Sequence, residues 1–467
     1  MSPMTEYDDV AYPSLPLPQT QPDRMATQAR LHGVRAPDPA SARVLEIGCS
    51  DAGNLAWLAA HTPDGRFVGI DLSERAVARA QTVISGLPNV EVRQGDLRTL
   101  RAGTFDFVIA HGVYSWLDRP ADLLDCIDRH LAADGIAYVS YNAMPGSHVR
   151  RMAGDVLRRF AAGHGDQVAA ARSLADWIGQ SSIESAHAEM MRWAMHRATA
   201  KPDHVLVHDE MAPANRAVFF DELVAEAAAC GLAYLGESHL ADSSPPPGVE
   251  VPAWLAAQVG PDEVARQQVL DYARNRAFRQ TLLVRAQNAP EDHGIDPEGL
   301  DALWAATPVR RIDAADGPPT WQVGDDVTVA GADPGLAADL ERLGGAWPGS
   351  VAVADLGMDR RLLADLHAAR GVELRAHPVP AVMPGVRPRV HPHVRARAAL
   401  EPVVANWRHE PIRLDDPRAR TAVALCDGRT SRAQIAAALA TDTGLGDAGR
   451  FLDALLAELG AAGLFLG

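Results

Sequence analysis

The chain has little of what would mark it as secreted, membrane-bound or nucleic-acid-binding. Its 467 residues include four cysteines, Cys49, Cys126, Cys230 and Cys426. They are too scattered for a disulfide framework and form no CxxC metal pair. No apolar run reaches the ~18 residues of a membrane-spanning helix. The opening stretch, MSPMTEYDDVAYPSLPLPQTQPDR, carries acids and prolines where a secretory signal has a basic and then an apolar region. A cytoplasmic location without membrane insertion is therefore expected. Lysine is nearly absent: Lys201 stands alone, and the remaining basic charge is arginine, as high-GC codon usage would give. The formal net charge of −16 leaves no general positive surface to displace counterions from nucleic acid, so no nucleic-acid partner is expected. A basic or lysine-bearing substrate would suit that charge, although many acidic proteins have no such partner.

The length exceeds what one core accommodates and predicts two to four domains. In the first third, short apolar runs (RVLEIGC, RFVGIDL, VEVRQGD, FDFVIAHGV, GIAYVSYN) alternate with helical patterns such as LAWLAAH, ERAVARAQTVI and RPADLLDCIDRHLAA. Strands apolar on both faces and separated by helices predict a parallel sheet in a doubly wound α/β domain. From about 147 to 203 the pattern turns helical, an insertion. RAVFFDELVAEAAACG then reads as helix, LAYLGES as a sixth strand and FRQTLLVRA as a seventh, with SSPPPGVEVP and a helix around PDEVARQQVLDYARNR between those two strands. The α/β domain thus covers 1–287. A weak internal repeat follows, each copy a helix, a break (Trp347-Pro348-Gly349 or Asp427-Gly428-Arg429), two more helices and an apolar tail. That order predicts two winged-helix-like domains, 288–385 and 386–467. Their recognition helices are not basic, which favours a protein- or peptide-facing role, or a structural one, over DNA.

The chemistry concentrates at strand ends. Gly48-Cys49-Ser50-Asp51-Ala52-Gly53 follows the first strand with the spacing of a dinucleotide loop, but serine replaces the middle glycine that lets backbone approach a pyrophosphate. Glu46 is placed to accept from a ligand amine. Asp71, with Leu72, ends the second strand where a carboxylate grips ribose hydroxyls. Asp96, with Leu97, follows the third strand near an adenine amino group. Together these describe an adenosine carrying an amino acid, S-adenosyl-L-methionine. It has no pyrophosphate, so Ser50 is tolerated and can reach the methionine carboxylate. A ligand-free turn, NAD or FAD accounts less well for three carboxylates in register. The fourth strand ends in AHGVYSWL and the fifth in SYNAMPGSH, which makes His111, Tyr114, Tyr141, Asn142 and His148 the catalytic candidates, unranked, with Ser140 beside the transferable methyl and His111 also a cofactor contact; Tyr114 could equally pack the next helix. Methyl transfer needs the partners oriented and the nucleophile desolvated. The His391-Pro392-His393 segment has no companion ligands, and no metal is expected.

These segments resemble the bacterial class I S-adenosylmethionine methyltransferases that carry a methyltransferase regulatory domain, a group that includes protein-lysine methyltransferases of outer-membrane proteins. The resemblance rests on YPSLPLPQTQPDRMAT, VLEIGCSDAGN, FVGIDLSERAVARAQ, FDFVIAHGVYSWL, GIAYVSYNAMPGSH, NRAVFFDELVAEAAACGLAYLGES and RNRAFRQTLLVR, with NWRHEPIRLDD and CDGRTSRAQIAAAL further on. It implies a Rossmann-like seven-stranded core with a helical insertion, a protein or peptide substrate with lysine foremost, and an insertion associated with homodimerisation. It also implies that PQTQPDR, with Gln19 and Thr20, lies near the cofactor; Gln21 stands where the family has histidine. Ser50 and Ala52 replace commoner glycines. A small-molecule or natural-product acceptor, a peptide precursor among them, is the alternative. A non-catalytic cofactor-binding regulator is a third reading.

Overall fold

The central apolar runs assemble side by side because they offer branched side chains to both faces, which only a sheet covered on both sides can bury, while the edge run VEVRQ buries only Val92. A computed structural model describes residues 15–245, 251–312, 317–443 and 447–467. The start of the N-terminal stretch, through Ser14, and the centre of SSPPPGVEVP lie outside the described residues.

The main sheet contains β1 (Arg43–Ile47), β2 (Arg66–Asp71), β3 (Val90–Gln94), β4 (Phe105–Ala110), β5 (Leu131–Ala143), β6 (Ala217–Val218), β7 (Leu232–Glu237) and β8 (Phe278–Arg285). Seven strands run in the order β3-β2-β1-β4-β5-β8-β7, with β6 pairing on β5 off that path. All pairs are parallel except those of β8, which runs antiparallel to β5 and β7. The expected seven-stranded core is present. The eighth strand was expected as helix: Ala217 and Val218 pair with Asn142 and Ala143, and the helix begins only at Phe220. Strand order reverses between β1 and β4, and ligands bind beyond the carboxyl ends at such a switch point.

Helices α1 (Pro22–Leu31), α2 (Gly53–His61) and α3 (Glu74–Val83) cover one face, and α4 (Ala121–His130) lies on the other. The insertion is a three-helix unit, α5 (Ser147–Ala161), α6 (Gln167–Gly179) and α7 (Ala186–Thr199), with its own core around Leu157, Met195 and Leu206. Helices α8 (Phe220–Ala229) and α9 (Glu263–Arg274) return the chain to the sheet.

Beyond β8, a separate core gathers Leu300, Trp321, Leu343, Leu363 and Leu374 with Leu31 of α1. The helix-break-helix-helix order expected here is only partly present. Helix Pro334–Ala346 is followed by a strand, Val351–Ala352, and a single turn before helix Arg360–Ala368. Val351 pairs with Ala305 and Ala352 with Trp304 in an antiparallel ladder, which holds this stretch extended. Two three-stranded antiparallel sheets, absent from the sequence expectation, complete the unit. The last unit has helices Pro392–Ala398, Pro417–Leu425, Arg432–Thr443 and Ala448–Ala461 and a two-stranded hairpin, Val403–Ala405 with Pro411–Arg413. Its apolar tail returns to bridge Ala381 and Val390. Among the described residues no helix is long and apolar enough to cross a membrane, and the four cysteines are free thiols.

One buried ion cluster fixes the antiparallel edge. The fully buried Arg279 of β8 donates to Asp271 of α9 at 2.8 and 2.9 Å and to Glu237 of β7 at 2.5 Å. Its guanidinium lies 3.9 Å over the Phe220 ring, and Arg276 adds a second cation at 3.0 Å from Asp271. Replacing Arg279 with methionine should cost about 3–5 kcal/mol in denaturant unfolding, because two buried carboxylates lose their main partner. A loss below about 1 kcal/mol would mean the cluster is dispensable.

Candidate active site

Alternation along β1 sends Val44 and Glu46 to one face of the sheet and Leu45 and Ile47 to the other. Glu46 is 4% exposed. Its Oε1 accepts from Asn54 Nδ2 at 2.9 Å, while Oε2 accepts no hydrogen bond from the described residues. Burial pushes its carboxyl up to about 8, Asp51 and Asp71 reinforce the shift and the Asn54 hydrogen bond opposes it. Asn54, one residue into the glycine turn's helix, is the junction of the site. Its Oδ1 accepts from the Leu17 amide at 2.9 Å and from His409 Nε2 at 2.7 Å, and its Nδ2 also reaches Thr20 Oγ1 at 3.1 Å.

The turn itself is left-handed at three places: Gly48 (φ 73°), Ser50 (φ 49°) and Ala52 (φ 62°). A Cβ on Gly48 would stand 2.8 Å from Val113 Cγ2. Glycine at the middle position thus has a second use besides approach to a pyrophosphate, since it adopts positive φ without strain. That requirement persists here although serine fills the position. Asp71 helps meet it: one carboxylate oxygen accepts from the Ser50 amide at 2.8 Å and the other from the Ser73 amide at 2.9 Å. Gly53 donates its amide to Asp51 at 3.1 Å. Leu72 is exposed, whereas Leu97 is buried in the core on the far face. Asp96, partly exposed past β3, pairs within its own loop. It is engaged by Arg98, through Nε at 3.0 Å to both oxygens and through the backbone amide at 2.9 Å, and the Arg98 hydrogen bonds hold its carboxyl below the usual range.

His111, just past β4, lies on the same face as Glu46. Its Nδ1 is 2.9 Å from the Tyr138 hydroxyl and 3.3 Å from Ser140 Oγ, and Ser140 in turn accepts from the Gly112 amide at 2.8 Å. Burial lowers the imidazole to about 4, so it is neutral at pH 7. Gln19 hydrogen-bonds Tyr138 and Thr20 bonds Asn54, which lays the PQTQPDR segment across Glu46 and His111. The structure brings Gln19, Thr20, Glu46 and His111 together.

It does not bring Tyr114 and Tyr141 to that cluster. Both are in the core of the opposite face, their rings 5.7 Å apart. The Tyr114 hydroxyl donates to Glu226 at 2.6 Å and the Tyr141 hydroxyl meets Thr281 at 3.3 Å. Tyr141 follows Ser140 in a strand, so the two point oppositely. Asn142 spends its amide on the insertion, donating to Asn215 at 2.7 Å and accepting from Arg150 at 2.8 Å. Arg150 also holds Glu210 at 3.0 Å, and Lys201 pairs with the same carboxylate. His148 is exposed at the start of α5.

Sequence reasoning missed Asn54, Tyr138 and His409. Tyr138 was legible in principle, as a polar group two positions before Ser140 on an apolar strand. Asn54 and His409 lie 355 positions apart, and no local pattern links them. His391 caps its own helix through the His393 amide at 3.2 Å. A cavity of about 620 Å³ lined by His32, Asp134, Asn288 and Asp292 opens near the amino end of β5, the wrong end of the sheet for this site.

Comparison with known proteins follows this division of the chain. Residues 45–137 match the family described as a methyltransferase domain, 202–285 a predicted methyltransferase regulatory domain, and 387–447 the PKMT C-terminal winged helix domain. An uncharacterised protein of Rickettsia prowazekii is 32% identical over 292 residues, 59% of this chain and 52% of that protein. The chain thus spans about half the length of that relative. A trans-aconitate 2-methyltransferase of Methylobacterium nodulans is 30% identical over 218 residues, 45% of this chain and 82% of that protein. The structure of PKMT2 from Rickettsia typhi in complex with AdoHcy superposes with a TM-score of 0.84 at 21% identity, covering 98% of this chain and 100% of that one. The chain belongs to the class I S-adenosylmethionine-dependent methyltransferases, with a methyltransferase regulatory domain and a C-terminal winged-helix domain.

Proposed function

We propose that this chain transfers a methyl group from S-adenosylmethionine to a nitrogen of a protein or peptide, with lysine foremost. The observation that carries the reading is Glu46: a buried carboxylate with one oxygen unpaired, beside a left-handed glycine turn at the switch point. The residues present fit the cofactor. Glu46 would take its amino group, Asp71 its ribose, and Gly48 allows close approach, with Gln19 and Thr20 closing the near side. When bound, the cofactor supplies an electrophilic methyl on a sulfonium.

The protein's own contribution is mainly positional. A base at about 4 is poorly matched to a lysine ammonium near ~10.4. His111 therefore orients the acceptor and does not deprotonate it, and Tyr138 and Ser140 fix its ring. Asn142, through Arg150 and Glu210, locks the insertion to the end of β5, which shapes the acceptor side. A polypeptide acceptor is supported by the PKMT winged-helix match and by the fold shared with PKMT2. A small-molecule acceptor is supported by the trans-aconitate methyltransferase match. The division at 287/288 and 385/386 belongs to the same proposal, supported by the separate cores, as does a cytoplasmic location. A homodimer through the insertion is supported by its apolar surface, where Trp177 is 71% and Trp193 56% exposed.

Three outcomes are expected. Binding of S-adenosylhomocysteine at pH 7 should release close to one proton. Glu46 is largely protonated in the free site and ionises to meet the ligand ammonium, so affinity should rise between pH 6 and 7.5 by at most about tenfold per unit. Calorimetry in buffers of different ionisation enthalpy reads this, and Glu46→Gln should remove it; equal release from the variant would reject Glu46 as the ammonium site. Asp71→Ala is a poorer control, because it also frees the Ser50 and Ser73 amides. Second, radiolabelled S-adenosylmethionine with a methylation-deficient lysate should label discrete protein bands, and Glu46→Gln should abolish them. Label confined to small molecules would select the other acceptor class, and no label despite cofactor binding would leave a regulator. Third, Trp177→Glu with Trp193→Glu should halve the mass seen by light scattering; a wild-type chain that is already monomeric would end the dimer proposal.

A further inference from the structure

The cofactor turn is supported from the far end of the chain. His409 follows the strand of the C-terminal hairpin, at φ 61°, and none of its surface is exposed. Its Nε2 lies 2.7 Å from Asn54 Oδ1. The Leu17 backbone amide, which can only donate, meets the same Oδ1 at 2.9 Å and fixes it as an acceptor. His409 Nε2 is therefore protonated and donates, and its Nδ1 has no hydrogen-bond partner among the described residues. With Oδ1 held by two donors, the Asn54 amide must present Nδ2 to Glu46 and Thr20. The order is His409 to Asn54 to Glu46.

The surroundings make the imidazole a fixed neutral donor. Burial lowers it well below its ordinary range, and His61, Arg24 and Arg375 act in the same direction. The turn that carries it is itself braced. Asn406 Oδ1 accepts from the amides of Arg408 and Glu410 at 2.9 and 2.8 Å, and Arg408 binds the half-buried Glu373 at 2.7 Å while stacking 4.2 Å over Trp347. On the other side, Trp57 of α2 sits in the C-terminal core with its ring 4.9 Å from His393, and His61 lies 4.5 Å from Trp407. The helix that opens the cofactor turn is thus clamped between the sheet and the last unit of the chain.

We propose that His409 is a positioning residue of the cofactor site, acting through Asn54 on Glu46, so that docking of the C-terminal unit and cofactor occupancy stabilise each other. The inference rests on the reading of Glu46 as the cofactor's ammonium site. By reciprocity, whatever displaces the hairpin turn weakens cofactor binding by the factor that the cofactor resists displacement.

The test is calorimetric titration of S-adenosylhomocysteine into the full-length chain and into His409→Leu, His409→Gln, His409→Asn, Asn54→Ala and the Asn54→Ala/His409→Leu pair. Asn tolerates the left-handed position better than Leu or Gln, so the variants are compared by affinity and not by stability. His409→Leu should weaken binding about tenfold, the scale of one lost buried hydrogen bond, and should also lower the ligand-free Tm, because the bond is made without the cofactor. His409→Gln places an amide N–H near the Nε2 position and should recover most of the loss; His409→Asn is too short and should not. In the Asn54→Ala background His409→Leu should add less than about twofold. Should His409→Leu fail to fold, the Gln and Asn variants decide: unequal affinities support the proposal and equal ones overturn it. Unchanged binding in His409→Leu, or an undiminished loss without Asn54, also overturns it. Absence of binding by the wild-type chain would instead sink the Glu46 reading, and this inference with it.

Discussion

The burial of α2 on every side is the constraint on which the site depends. Gly53 to Ala60 are all buried. Leu55, Ala56, Leu58 and Ala59 belong to the core of the sheet, while Trp57 belongs to the core of the C-terminal unit. A helix apolar around its whole circumference is stable only inside a structure. The glycine turn ahead of it therefore inherits its position from two cores at once. This also explains how Ser50 and Ala52 hold left-handed backbone, a cost of roughly 1–2 kcal/mol per residue. The helix after the turn cannot shift to relieve them, and Asp71 anchors the Ser50 amide from the neighbouring strand.

A buried ion network carries the same constraint to the N-terminal segment. Asp23 of α1 pairs with Arg375 at 2.8 Å and accepts from the Ala376 and His377 amides, and Arg24 meets Glu373 at 2.8 Å and Glu410 at 3.3 Å. Burial opposes the charge on Glu373, yet Arg24, Arg375 and Arg408 hold its carboxyl down to about 2. Its contribution to stability is present above the ordinary carboxylate range and is lost only as pH falls through the folded value. The consecutive Asp23 and Arg24 thus fasten the Gln19–Thr20 segment to the middle and C-terminal units together. Breaking one member would leave its partners charged and buried, which costs more than the intact network gains. The units past β8 are in this sense walls of the site.

Local chemistry explains how much was legible. The parallel sheet, the insertion and the turn could be read because each rests on periodicity or on residues a few positions apart. On the proposed reading, Glu46 and Asp71 were legible because strand ends at a switch point are where ligands meet such sheets. Tyr141 lies away from the cluster because one step from Ser140 reverses the face, and Tyr114 because the single helical turn after β4 turns it into the opposite core. Asp96 pairs with Arg98, two residues on, a local partner that the strand-end reading did not weigh. The small sheets of the middle unit were illegible, their strands being two to four residues long and stabilised by partners distant in sequence. His409 was illegible for the same reason.

The electrostatics of the site then follow from what these walls exclude. His111, His409 and Glu46 are all buried enough that the neutral form of each prevails at pH 7. Asp51 and Asp71 stand close enough to bias Glu46 further against ionising. Such a site favours a cationic ligand twice over, by pairing an ammonium with the carboxylate it ionises and by placing the acidic turn near positive charge. Methyl transfer converts the cofactor's sulfonium into a neutral thioether. The turn's negative field, which favours the cation, does nothing for the neutral sulfur left behind. The ammonium that Glu46 meets is present in both forms, so on the proposed reading Glu46 holds reactant and product alike, and any preference for the sulfonium comes from Asp51 and Asp71 of the acidic turn.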